Sequence, residues 1–427
     1  MPKTTFRRKK TRRIAMLSVH TCPMATLGGK ETGGMNVYVR ELSRELGARG
    51  LTVDIYTRSQ DATVERVRPL WPNVRVIHLP AGPEEPYNKN LVYDHLPQFL
   101  SELRAFAARE HITYDLVHSH YWLSGWVARE LAREDALPTV HMFHTLGKMK
   151  DIVARSEEEK ETATRIRVEE ELMRDMSRIV AATPLDKTQM VELYGASPGK
   201  IVVVPLGVDP AMFRPVPRSE ARHAIGLDLP GMCQLVLFVG RLDPLKGLDT
   251  LLRAVCRLTD LEPELVKGLC MAVIGGDADA NDTGLDNELD CLDKLKDEVG
   301  LRDLVIFLGS RAQDTLPYYY SAAEVCVVPS LYESFGLVAL EAMACGTPVI
   351  ASRVGGLQHT VDDGVTGFLV PAGEPDALAD KLRLLLVDSE LRERLGANAR
   401  RKAQAYTWQV VAKHILALYE ELWSQKR

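Results

Sequence analysis

The sequence predicts an α/β protein made of two doubly wound, Rossmann-like domains that face each other across a cleft. Three observations carry this. Short apolar runs alternate with longer amphipathic stretches along most of the chain. The apolar runs are continuous and rich in Val and Ile, as strands covered on both faces of a parallel sheet must be. The alternation also stops at a proline-rich join and begins again, so the 427 residues hold two series, a length that suits two or three domains.

RIAMLSVH reads as the first strand. The segment from about Met35, MNVYVRELSRELGARG, reads as a helix closed by Gly50. LTVDIYTR, VRVIHLP, DLVHSH, PTVHMFHTL, RIVAATP and IVVVPLGV follow as strands, with helical stretches such as Gln98 to Glu110 and the charged Ser156 to Met176 between them. The join falls in PLGVDPAMFRPVP, residues 205–217. CQLVLFVG, CMAVIGG, LVIFLGS, EVCVVPS, PVIASRV and GFLVPA are the strands of the second series. WQVVAKHILALYEELW is helical by its apolar spacing, has no strand after it, and must dock on something already built. The expected divisions are 1–207, opening with a basic tail over 1–12; 208–405; and a terminal helix over 406–427.

Composition excludes several classes. An apolar fraction of 46% with 26% charged residues is that of a soluble globular protein. A net charge of -5 argues against nucleic-acid binding through a global basic field. The one basic run, Lys3 to Arg13, reads as a solvated tail. The apolar segment after it is too short for a signal peptide, and no window approaches the ~18 apolar residues of a spanning helix. The seven cysteines are scattered and odd in number, so they are expected to be reduced core residues of a cytoplasmic protein. No cysteine pattern suggests zinc.

The polar exceptions fall just after strands, where open parallel sheets bind ligands. PSLYESFGLVALE, Pro329 to Glu341, follows a buried strand; a helix is expected to begin near Ser334, which would cap it. The unpaired N–H groups of such a helix suit phosphate or sugar oxygens. Glu333 and Glu341 are too far apart to share one atom, so they are expected to grip hydroxyls on separate parts of an elongated ligand. In FVGRLDPLKG, Arg241 and Lys246 follow a strand end and could neutralise a diphosphate leaving group without a metal.

GGKETGGMNVY, Gly28 to Tyr38, lets a ligand approach the backbone closely, but it is neither GxGxxG nor a Walker A loop. HSHYWLSG contributes His118, His120 and Tyr121; HMFHTLGKMK contributes His141, His144, Thr145, Lys148 and Lys150. These histidines have no carboxylate or cysteine at ligand spacing, and Asp277-Ala-Asp279 reads as a loop, so no metal is expected. Arg165 and Arg167 of RIRVEEE, with Lys89 upstream, would suit a phosphorylated acceptor.

Glu333-x7-Glu341 with Ser334-Phe335-Gly336, Arg241 and Lys246, and Gly33-Gly34 resemble the retaining nucleotide-sugar glycosyltransferases of the GT-B fold, family 4, from about Arg13 onward. GGMNVY, HSHYWLSG, HTL, ESFGLVALEAMACGTPV and VGGL resemble the branch that moves N-acetylglucosamine from its UDP form to inositol phosphate. HTLGKMK and the Arg-x-Arg before EEE resemble sucrose-phosphate synthases, which act on fructose 6-phosphate.

Position by position, the resemblance implies that Arg241 and Lys246 bind the donor diphosphate and that Glu341 holds the ribose hydroxyls. Glu333 and the backbone of Phe335 and Gly336 would hold the sugar, with His144 beside it, Gly34 near the phosphates and Arg311 flanking the base. Lys89, Tyr121, Thr145 and one of Arg165 or Arg167 would grip an acceptor phosphate. His144, Arg241, Lys246 and Glu333 would be the catalytic set. No cofactor is implied beyond the UDP-sugar donor; the partners are that donor and a phosphorylated acceptor. A homodimer is allowed by the sequence and not specified by it. The competing classes are a sugar-nucleotide epimerase and a non-catalytic sugar-nucleotide binder.

Overall fold

The computed structural model describes residues 11–25, 32–226, 233–276 and 283–425, the side chains of 283–289 excepted. The basic run up to residue 10, part of the glycine-rich segment and Asp277-Ala-Asp279 lie outside the described residues.

The first sheet contains β1 (Arg13–Leu17), β2 (Thr52–Arg58), β3 (Val67–Trp71), β4 (Val74–Leu79), β5 (Leu116–His120), β6 (Thr139–Met142), β7 (Arg178–Ala181) and β8 (Ile201–Val203). Their order is β3-β4-β2-β1-β5-β6-β7-β8. The second contains β9 (Gln234–Val239), β10 (Leu269–Ile274), β11 (Val305–Phe307), β12 (Val325–Val328), β13 (Val349–Ser352) and β14 (Gly367–Val370), in the order β11-β10-β9-β12-β13-β14. The pairings are parallel except for β3 with β4. β3 was not expected: its Arg-Pro interior hides a strand signal, which an edge position tolerates.

Each sheet reverses its winding once, between β1 and β5 and between β9 and β12. A crevice opens beyond the strand ends at such a point. The Val/Ile runs of the central strands are buried, as strands with helices on both faces should be, while the edge strands β8 and β11 expose Val203 and Ile306.

Three local expectations need correction. The helix after β12 runs Leu337–Ala344, not from Ser334; Gly336, in the left-handed conformation (φ 89°), precedes it. Ser334 is engaged elsewhere, its hydroxyl donating to Asp186. The charged stretch Ser156 to Met176 is not one helix, because the regular helix is Ala163–Asp175, capped by the Thr162 hydroxyl. The cysteines are not all free: Cys233 and Cys270 form a disulfide. They lie 37 residues apart in sequence and come together only because β9 and β10 are neighbours.

The helix Trp408–Gln425 leaves the second sheet and packs on the helix Gly34–Ala48 of the first. Tyr419 O–H and His118 Nδ1 are 2.6 Å apart, and Trp423 Nε1 donates to the Asp115 carbonyl at 3.1 Å. Among the described residues, no helix is long and apolar enough to cross a membrane.

Candidate active site

The winding reversals of the two sheets face each other across a cavity of about 280 Å³. Gly34, Lys89, Tyr121, His144, Thr145 and Arg165 line it from the first sheet; Arg241, Lys246, Glu333, Phe335 and Gly336 line it from the second. A second cavity, about 120 Å³, shares Gly33, Gly34, Gly240 and Arg241 with the first and runs on to Arg311 and Glu341. Its walls include Val37, Val239, Ile274 and Leu316. Leu337 and Val338 line both, so the first turn of the helix Leu337–Ala344 is turned toward them.

On the second sheet, Lys246 ends a short turn whose leading residue, Asp243, accepts from the Leu245 N–H at 2.9 Å. Lys246 Nζ then reaches Glu333 Oε2 at 2.5 Å. Arg241 Nη2 stands 3.5 Å from Asp243 Oδ2. Burial alone would raise the Asp243 carboxyl, but the Arg241 charge and the hydrogen bond hold it below the usual range.

The VGGL segment scaffolds the Glu333 loop. Gly356 N–H donates to the Glu333 carbonyl at 2.9 Å. A Cβ at Gly355, whose φ is +45°, would lie 1.8 Å from that same oxygen.

Glu341 faces the smaller cavity, and Glu333 the larger. The Glu341 carboxylate takes the Tyr320 hydroxyl at 3.0 Å and the Gln313 amide at 3.2 Å, and Gln313 in turn accepts from Arg40 of the first sheet's leading helix. Burial raises Glu341 to about 7, so at neutral pH it is only partly the ionised acceptor expected of it.

On the first sheet, Arg165 is buried and its donors are spread over four groups. They go to Glu169 at 2.7 Å, Glu161 at 2.8 Å, the Tyr121 hydroxyl at 3.0 Å and Thr145 through both its carbonyl and its hydroxyl. Lys150 pairs with Glu161 as well. Arg167 points the other way, to Glu171 and the Tyr93 hydroxyl on the exposed face, and does not line the cavity.

Tyr121 and His144 both sit in the left-handed backbone region (φ 71° and 62°), a strained setting for non-glycine residues that occurs where the surroundings over-determine the fold. Burial depresses His144 to about 3, so its imidazole is neutral at physiological pH. Sequence reasoning passed over Glu161, Asp186 and Tyr332, whose hydroxyl accepts the Leu146 N–H from the opposite sheet. Asp186 carried only a helix-start signal, after Thr183 and Pro184. Among the described residues no group of three or more His, Cys, Asp or Glu could hold a metal ion.

Sequence comparison decides the family. Residues 32–212 match Glycosyltransferase Family 4, and residues 224–402 match Glycosyl transferases group 1. The chain is 41% identical to the D-inositol 3-phosphate glycosyltransferase of Saccharomonospora viridis, over 96% of this chain and 94% of that one. It is a glycosyltransferase of this family.

A second D-inositol 3-phosphate glycosyltransferase, from Kribbella flavida, is 42% identical to this glycosyltransferase over 96% of its chain and 95% of the relative. Among solved structures, the sucrose-phosphate synthase of Thermosynechococcus elongatus superposes with a TM-score of 0.89 at 36% identity, covering 97% of this chain and all of that one. HepE of Anabaena, solved with UDP-glucose, shares the GT-B fold at a TM-score of 0.74 and 22% identity, with 96% of this chain and 99% of that one covered. The expected class and fold of the glycosyltransferase are thereby met.

Proposed function

We propose that this glycosyltransferase moves a hexose or N-acetylhexosamine from a UDP-sugar, with retention, to a phosphorylated polyol or sugar. The best-supported pair is UDP-N-acetylglucosamine and inositol phosphate. The observation that carries the reading is a pair of cavities that share Gly33, Gly34 and Arg241 in their walls, with Lys246 and Glu333 lining one and Glu341 the other. Such an arrangement fits an elongated ligand with anionic phosphates at its centre and hydroxyl-bearing rings at each end.

In this reading the second domain, over 208–405, holds the donor. Glu341 takes the ribose hydroxyls and Arg311 flanks the base. Arg241 and Lys246 bind the diphosphate with Gly34 close by. Glu333 and the backbone of Phe335 and Gly336 take the sugar, with His144 beside it. The first domain, over 1–207, holds the acceptor, whose phosphate meets Lys89, Tyr121, Thr145 and Arg165. Because the guanidinium of Arg165 already serves Glu169, Glu161, Tyr121 and Thr145, and two of these are carboxylates that offset its charge, its main contribution is to hold Tyr121 and Thr145 in place.

As the anomeric bond breaks, negative charge grows on the leaving phosphate. Arg241, Lys246 and the amides of the helix Leu337–Ala344 stabilise it, each at about 3 kcal/mol. Attack comes from the face the phosphate leaves, and the departing phosphate oxygen takes the acceptor proton, so no carboxylate has to act as nucleophile. Glu333, beside Lys246 at 2.5 Å, holds that ammonium in place.

The test pairs UDP-glucose and UDP-N-acetylglucosamine with fructose 6-phosphate and inositol phosphate in all four combinations, with mass and anomeric configuration read from each product. A product formed from donor alone would point to an epimerase; donor binding without transfer or hydrolysis would point to a binding protein. A second reading, glucose transfer to fructose 6-phosphate, is supported by the likeness to the Thermosynechococcus sucrose-phosphate synthase, and the same four reactions decide it.

A further inference from the structure

His118, His120, His141 and His144 cluster behind the cavity; of these four only His144 lines it, together with His20. His120 is wholly buried at the end of β5. Its Nδ1 lies 3.0 Å from His144 Nε2, and its Nε2 lies 3.0 Å from the Met16 sulfur. Burial keeps both rings neutral, so each imidazole carries one N–H and one bare nitrogen.

The thioether decides which nitrogen is which, because it accepts hydrogen bonds and has nothing to donate. With the proton on Nε2, His120 donates to Met16 and leaves Nδ1 as an acceptor. The other tautomer would bury a bare nitrogen against the sulfur lone pairs, at the cost of an unsatisfied polar atom. A bare His120 Nδ1 in turn requires His144 to carry its proton on Nε2, so His144 Nδ1 is unprotonated. Among the described residues, the one hydrogen bond of the His144 ring runs through Nε2. The Tyr38 ring, in a T-shaped contact, and the tilted His120 ring pack against the imidazole with centroids 5.4 and 5.2 Å away.

We propose that His120 is a positioning residue that fixes the tautomer of His144, so that His144 offers a bare Nδ1 to a hydroxyl of the transferred sugar. The sugar part of this statement rests on the proposed function; the tautomer part does not.

The test is 15N NMR of protein labelled in its histidine rings, with the His144 signals identified by their loss in His144→Gln. The expected spectrum has the His144 proton on Nε2 and a bare Nδ1. A proton on Nδ1, or a charged ring at neutral pH, overturns the inference while leaving the transferase reading intact. Kinetics with the donor and acceptor that react supply the second arm. His120→Asn keeps an oxygen that can take the His144 N–H and is expected to stay within about threefold of wild type, whereas His120→Phe is expected to lose roughly 10- to 100-fold in kcat. Affinity for UDP alone is expected to be unchanged in both. Equal losses in the two variants, or none in either, contradict a positioning role. If no donor and acceptor pair reacts, it is the proposed reaction that fails, and the NMR arm still decides the tautomer.

Discussion

Ser334 Oγ donates to Asp186 Oδ2 at 2.9 Å, joining the loop after β12 to the helix that follows β7 on the other sheet. The loop that carries Glu333 is thus tied to a buried carboxyl on the other sheet. The Ala182 N–H adds a bond to the same oxygen at 3.2 Å.

Burial is the largest influence on Asp186 and raises it to about 7 from 3.8, outweighing the bonds from Ser334 and the backbone. The native state therefore keeps a proton that the unfolded chain releases, and stability falls as pH rises from about 4 to 7, then levels. Asp186→Asn removes this dependence. Urea unfolding of both proteins at pH 5, 6.5 and 8 is expected to move in favour of the variant as pH rises. Parallel pH profiles would contradict the assignment.

Glu341, raised to about 7 by burial, gives a separate pH effect. In the proposed role its ionised form accepts from ligand hydroxyls, which links binding to loss of its proton. Affinity for UDP is expected to rise about tenfold between pH 6 and 8 through this group. Calorimetry with Glu341→Gln, whose amide does not titrate, isolates the effect from the titration of the nucleotide itself.

Arg241→Ala and Lys246→Ala are each expected to lower kcat by roughly 10²- to 10³-fold, the size typical of removing one group that stabilises developing charge. Near wild-type turnover in both would end the diphosphate assignment.

Gly355→Ala would place a methyl against the Glu333 carbonyl and strain a left-handed residue. The loop has to shift. Transfer is expected to fall at least tenfold, as a lost charged hydrogen bond implies, while UDP binding falls less, because Glu333 faces the cavity proposed for the sugar. Parallel kinetics and UDP titrations read the difference.

Tyr419→Phe removes the partner of His118 Nδ1, on a ring whose Nε2 is already buried without one. The expected cost is about 1–3 kcal/mol, measurable by thermal or chemical unfolding. An unchanged midpoint would show that the contact of the terminal helix with β5 carries no weight.

The strand runs were legible because covered parallel strands must be continuously apolar, and the cleft residues because they interrupt that pattern at strand ends. Where the reading failed, a local signal had a distant competitor. Ser334 looks like a cap, but its hydroxyl is taken by Asp186, 148 residues earlier. Cys233 and Cys270 look like core thiols until neighbouring strands bring them together.

By itself the sequence determined the two α/β series, the acids of Glu333 and Glu341 with the cations of Arg241 and Lys246, and the family that these motifs carry. These are matters of spacing along the chain, which periodicity and strand-end placement encode directly. Tertiary structure alone decided which of Arg165 and Arg167 turns inward. Two residues apart on a helix they point about 200° from one another, so one had to face solvent, but only the packing of Ala163–Asp175 against its neighbours determines which. It also decided that His144 is neutral and that the carboxyls of Glu341 and Asp186 are raised to about 7, because desolvation depends on everything that surrounds a group and not on the residues beside it in the chain.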